Sequence, residues 1–304
     1  MKFMFQVIVK LTFLASLMPY LLSEKIYNKY QVRINPQVVD TLYYSGKEVG
    51  GVDRKLLKEA SGLAVSRIHE NVLYTHNDSG GKPTVYKLDS TGNVTGKITL
   101  DNTFNRDWED IAVGPDAGGM KSYVYVGEIG DNDGEYPSIS LLKFEEPAMD
   151  STDLHVQPEK IKLKYPDGAR DAETLMVDPW NGDVYIVSKR DSSNVLYRAP
   201  ADKLDEEEVE LEPLQNLPIT MSVAGDISPD GKEIIIKNYW VIYYWTRKEG
   251  ESIAEALSRK PVQLPYVPEP QGEAIAFSKN GHSFFSLSEE RFRIKPVLYQ
   301  YYKK

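Results

Sequence analysis

The chain has 304 residues and a formal charge of −9, with 20 Tyr, 9 Phe and 4 Trp and no cysteine. That length accommodates a sizeable core, and the aromatic content excludes a disordered chain. The acidic balance argues against nucleic-acid and anionic-membrane binding, and the missing cysteine excludes thiol nucleophiles, disulfides and cysteine-based zinc sites.

The N-terminal segment MKFMFQVIVKLTFLASLMPYLLSEK begins with Lys2 and stays largely apolar to Leu22. This reads as a signal peptide over residues 1–23, with an uncleaved signal anchor as the alternative because Lys10 interrupts the run. The expectation is a secreted, extracellular chain over 24–304, folded as a single domain and monomeric. No second apolar run is long enough to span a bilayer. Sequons stand at Asn77 and Asn93, and Asn93, in the polar turn STGNVTG, is the better glycan acceptor.

From there on, the chain is a series of short runs rich in β-branched and aromatic residues, separated by turn signals. The first four, SGLAVS, NVLYTHN, TVYKLD and VTGKITL, make one unit. Related units follow: DWEDIAVG with YVYVGEIGDND, DAETLMVDPWNGDVYIVSKRD, AGDISPDGKEIIIKNYW, and QGEAIAFSKNGHSFFSLSEER. Aligned on Leu63, Ile111, Leu175, Ile227 and Ile275, they recur after 48, 64, 52 and 48 residues, the long interval holding the polar segment AMDSTDLHVQPEK. Turns such as WNGD, SPDGK and KNGH suit tight hairpins. Helical periodicity is weak except near ESIAEALSRK, and LDEEEVELEP reads as a solvated outer strand or loop.

A period near 50 with about four strands per unit predicts an all-β chain, a β-propeller of five blades, with six as the runner-up. The last unit has three strands, ending in PVLYQYY. Its fourth is expected from the N-terminal segment INPQVVDTLYYSG, closing the ring by pairing the two ends of the chain.

In a propeller the lead-in to each inner strand and the loop after each second strand open on one face. The lead-in acids and the polar clusters therefore converge there. Two residues before the aligned apolar position stand Glu109, Glu173 and Glu273, the expected inner ring. Four before it stand Glu59, Asp107 and Asp171, and one before it Asp110 and Asp226. The second-strand side adds His76, Asn77 and Asp78, then Asp131, then Arg190, and finally Glu289. Asp107 and Glu109, two apart on a strand, share a face. Carboxylates so crowded need neutralising. A hard cation with oxygen ligands, Ca²⁺ by preference, fits Glu109, Glu173, Asp226 and Glu273. Lys189, Arg190 and Arg291, or protons shared between carboxyls, offer a metal-free solution. The plainer alternative is that these acids cap strand ends between blades. Trp108 is expected to be a packing anchor between blades.

ISPDGKEIIIK resembles the strand–turn–strand unit of TolB-type propellers. EASGLA, DWEDIA, DAETLMVDP and EAIAFS together resemble an extracellular propeller group that includes esterase-like phytase-like domains and, more loosely, the strictosidine synthase and gluconolactonase type. The resemblance spans most of residues 59–302. It implies a propeller with a cation, often calcium, held by acidic and amide side chains at one end of the channel. The full lactonase ligand set and the acidic signatures of alkaline phytases do not occur here. Two functions follow as expectations. One is a metal-dependent hydrolase of an ester, lactone or phosphoester, with a small-molecule substrate and His76 or Asp131 moving the proton. The other is a non-catalytic extracellular module that binds a protein or glycan. No Gly-x-Ser-x-Gly occurs, which argues against a serine hydrolase.

Overall fold

The computed structural model describes residues 39, 41–147, 152–291 and 293–304, so the expected signal peptide lies outside the described residues. Five small sheets, antiparallel but for one added strand in each of two, follow one another around a ring. The chain is a five-bladed β-propeller. Each blade runs outward from an inner strand: Ala60–Val65 in blade 1, Asp110–Pro115 in blade 2, Ala172–Val177 in blade 3, Ser222–Ile227 in blade 4 and Ala274–Phe277 in blade 5. The inner strands contact their neighbours in turn, blade 5 returning to blade 1.

The expected ring closure is present, with its strand a few residues downstream. Lys47–Gly51 supplies the outermost strand of blade 5 and pairs antiparallel with Val297–Tyr302. Tyr43 of the expected segment bridges Lys303, while Ile34 to Gln37 lie outside the described residues. Two blades carry a fifth strand. Asp153–Val156, from the polar insert, joins blade 1 in parallel. Val209–Glu210, from the acidic stretch, joins blade 2 in parallel. Each covers a sheet edge that would otherwise be open to pairing. The short helix α1, Ile253–Leu257, starts with a capping box made by Ser252 and Glu255.

Alternation along the strands puts apolar side chains on both faces of every blade, and adjacent blades bury them against each other. The core is therefore five clusters, one per blade interface. Trp108, fully buried, sits between blades 1 and 2 with Tyr74, Val85 and Val126. Phe277, Phe284 and Tyr301 fill the space between blades 4 and 5, Phe284 and Tyr301 stacked with centroids 4.5 Å apart. The hairpin turns interlock as well. Gly231 has φ of 73°, and a Cβ there would lie 2.2 Å from Nε1 of Trp180, which donates to the Asp230 carbonyl. Only glycine satisfies both conditions.

Candidate functional site: an acidic channel mouth

Backbone bulges aim the key side chains. In blade 2, Gly127 faces two residues: its carbonyl accepts from Glu109 N at 3.0 Å, and its ladder partner is Asp110. In blade 3 the register slips between Ala172 and Thr174, leaving Glu173 as the extra residue. An extra residue at a bulge turns its side chain away from the regular alternation, here toward the mouth of the channel.

Seven carboxylates surround this mouth. Oxygens of Asp78, Asp107 and Glu109 lie within 4.8 Å of one another, and so do oxygens of Glu109, Asp171 and Glu173. Gly130 lies directly against the first group: a Cβ there would be 2.3 Å from Oε1 of Glu109 and 2.4 Å from Oδ2 of Asp107. On the other side, Glu289 lies beside Glu273, and burial and that neighbouring charge keep a proton on it. Lys189 is the buried counter-charge. Its ammonium pairs with Oε1 of Glu173 and lies 3.1 Å from the Tyr239 hydroxyl. That hydroxyl donates to Oε1 of Glu273 at 2.5 Å.

The energetics follow from this crowding. Burial, then the charges of Glu173 and Asp78, raise the Glu109 carboxyl well above its ordinary value. Burial pushes Glu173 to about 8, with Lys189 pulling it down and Glu273 pushing it up. Burial and Glu273 push Glu289 to about 9. Asp78 rises to about 6, mainly by burial and then by Glu273, Asp107 and Glu59. Asp107 rises by burial and by Asp171. Lys189 shifts upward, because Glu173, Glu273 and Glu109 outweigh a burial effect that lowers it. These groups hold protons, or call for a cation, because their charges have too few partners.

The remaining acids are engaged in holding the framework. Asp171 accepts from Asp131 N at 2.9 Å and pairs with Arg190 at 2.6 Å. Asp131 accepts from the backbone of Glu135 and of Tyr136, which fixes its own loop. Asn77 accepts from Glu59 N and donates to the Leu56 carbonyl, while Glu59 is exposed at the rim. Asn93 is exposed in its turn, its amide donating to Asp89. His76 is fully buried, its ring edge-on to Trp108 at 5.6 Å, and burial lowers its pKa to about 4.

Asp110 and Asp226 form a second, deeper tier. Asp110 accepts from its neighbour Ile111 N and, across to blade 3, from Leu175 N. Asp226 does the same with Ile227 N and, in blade 5, Phe277 N. Arg67, from the first hairpin of blade 1, donates to the Ile227 carbonyl in blade 4 and lies 3.9 Å from Asp226. Blades 1 and 4 are not neighbours, so Arg67 crosses the channel axis. Asp226 thus stands apart from the two carboxylate groups at the mouth, and Glu273 meets Glu173 only through Tyr239 and Lys189. Lys189 stood in the polar cluster after the third unit's second strand. Tyr239, inside the β-type run EIIIKNYW, gave no sign of its position.

No family model matches the chain, and no curated protein does. Among solved structures it is similar in fold to the PQQ-bound aldose sugar dehydrogenase from Streptomyces coelicolor. That match has a TM-score of 0.50 and 9% identity, over 86% of this chain and 98% of that one. A luciferin-regenerating enzyme aligns with a TM-score of 0.44 and 12% identity, over 83% of this chain and 92% of that one. The WD40 repeats of RRP9 align at 0.40 and 10% identity, over 81% and 67%. The first of these likenesses supports the propeller fold.

Proposed function

We propose that this is an extracellular β-propeller that holds a divalent cation at the channel mouth and acts there as a hydrolase of an ester, lactone or phosphoester. The observation that carries the reading is Glu109: 4% exposed, shared by both carboxylate groups, and reached by no ion pair from the described residues. A buried carboxylate without a partner is costly, and a cation among five carboxylates removes that cost. The donors are hard oxygens, which suits Ca²⁺ better than a softer metal.

When bound, the cation would polarise a substrate oxygen or activate water. The chain's own groups do the rest. Asp78, Asp107 and Glu109 hold the ion against Gly130. The proton held by Glu289 beside Glu273 stands ready for a leaving group. Asp131 and His76 serve the framework in this scheme: both carboxylate oxygens of Asp131 accept backbone N–H groups, and His76 has no exposed surface.

That last point favours a second reading, a non-catalytic module whose cation stabilises the ring and shapes a surface for a protein or glycan. The two separate cleanly. Stripping with EDTA should lower the melting temperature, Ca²⁺ should restore it, and Glu109→Gln should abolish the response. A calcium response with no turnover on ester, lactone and phosphoester panels would leave the binding module. No response at all would remove the cation from both readings.

A further inference from the structure

The mouth has two unlike halves. On one side every carboxylate has a partner. Lys189, 5% exposed, pairs with Glu173, reaches Glu273 through the Tyr239 hydroxyl, and lies 5.3 Å from the Tyr239 ring centroid. Glu273 in turn faces Glu289, which lies 3.8 Å from Arg291. On the other side, among the described residues, no Lys, Arg or His nitrogen lies within ion-pair distance of Asp78, Asp107 or Glu109. Their oxygens nevertheless lie together, Asp107 and Glu109 both against Gly130. Asp78 accepts only from the backbone of Ser79.

We infer that Lys189 is a built-in cation occupying the Glu173–Tyr239–Glu273 half of the mouth, so that the exchangeable divalent cation is confined to the Asp78–Asp107–Glu109 half. This rests on the cation reading above and makes it sharper. It gives Glu173 the metal-free role that the sequence left open beside the metal one: the anchor of an ammonium, not a ligand of the ion. A tethered ammonium is always at high local concentration, so it holds its half against a mobile ion at any calcium level. It also repels that ion across Glu109, which sets the affinity of the open half.

The consequence is specific. Replacing Lys189 alone strands the Glu173 carboxylate and opens a second place for a cation. Replacing Lys189 and Glu173 together removes a buried pair as a unit, a change folds tolerate better than losing one partner. The test is isothermal titration of CaCl₂ into EDTA-stripped full chain. Wild type is expected to bind one Ca²⁺. Lys189→Gln is expected to bind a second ion, or the first at least tenfold more tightly. Glu173→Gln, which frees the ammonium toward Glu109, is expected to bind at least tenfold more weakly. Adding Lys189→Gln to it is expected to restore one ion at wild-type affinity or tighter.

Loss of binding in the double variant would show that Glu173 is a ligand and would overturn the division while leaving a calcium site in the mouth. Binding by Lys189→Gln alone, with none in wild type, would keep Lys189 as the occupant and overturn the cation reading of the native protein. No binding by any of the four proteins would overturn both. The double variant keeps the test decisive should Lys189→Gln fail to fold.

Discussion

Asp110 is the place where the framework can be tested hardest. Its Oδ1 accepts from Ile111 N at 2.9 Å and its Oδ2 from Leu175 N at 2.9 Å, the second in the neighbouring blade. Ile111 and Leu175 are both buried. Asp110→Ala removes both acceptors and admits no obvious replacement. Each buried N–H left without a partner costs roughly 1–3 kcal/mol, so the two together cost roughly 2–6 kcal/mol. Part of this is offset, because burial holds the Asp110 carboxyl well above its ordinary pKa and so makes its ionised form expensive. A net loss of about 2–4 kcal/mol is the expectation. Asp110→Asn keeps one acceptor and turns an NH₂ toward the other donor, so it should lose about half as much. Urea unfolding followed by tryptophan fluorescence measures the loss, since Trp108 is buried beside this strand. Hydrogen exchange at the Leu175 amide should accelerate more than at amides of blade 5. The loss should be equal with calcium and with EDTA, because Asp110 is not a ligand. A loss under about 1 kcal/mol, or one that calcium abolishes, would refute the assignment of Asp110 as an interblade bridge.

Gly130→Ala places a methyl carbon 2.3 Å from Glu109 and 2.4 Å from Asp107. It should cost about 1–3 kcal/mol by overpacking and weaken calcium binding at least tenfold; calcium titration showing wild-type affinity would contradict the site. The cation-free protein should lose stability as pH rises from 7 to 9. Glu289 has a folded pKa raised to about 9, so the folded state holds a proton that the unfolded chain has already released, and the stability this gives is lost as pH rises through 9. The slope from this group is at most about 1.4 kcal/mol per pH unit. His76, lowered to about 4, acts in the opposite direction but only below about 6.5, outside this window. Urea midpoints in EDTA that stay flat or climb from pH 7 to 9 would contradict the crowding argument. Deleting residues through Gly51 removes the closing strand and exposes the edge of Val297–Tyr302. The shortened chain should aggregate or melt well below the full one; an unchanged melting temperature would mean the ring does not depend on that closure.

Much of the fold was legible because it repeats. The spacing of Leu63, Ile111, Leu175, Ile227 and Ile275 gave five blades, and the three strands of the last unit implied an N-terminal fourth. The pairing of Asp107 with Glu109 came from strand alternation and that of Asp110 with Asp226 from alignment, and the members of each pair lie in like surroundings. What stayed hidden was hidden for physical reasons. A bulge shifts side-chain parity by one residue without leaving a composition signal, so Glu173 and Asp226 looked like ligands of one cation when they belong to two tiers. His76 ends a second strand, where polar residues are usually solvated, yet the interface of blades 1 and 2 encloses it with Trp108. Tyr239 sits among apolar residues that any strand would carry, and only the closed ring brings its hydroxyl between blades 3 and 5. The bridging role of Arg67 was equally invisible, because it depends on reaching across an axis that exists only once the blades close.

Both functional readings depend on uptake of a divalent cation by the Asp78–Asp107–Glu109 mouth. Equilibrium dialysis of the EDTA-stripped full chain against calcium, with metal counted by atomic emission, tests it without reference to stability or turnover. About one Ca²⁺ per chain is expected in the native protein and none above background in Glu109→Gln. Calcium retained equally by Glu109→Gln, or absent from the native chain at millimolar calcium, would contradict it.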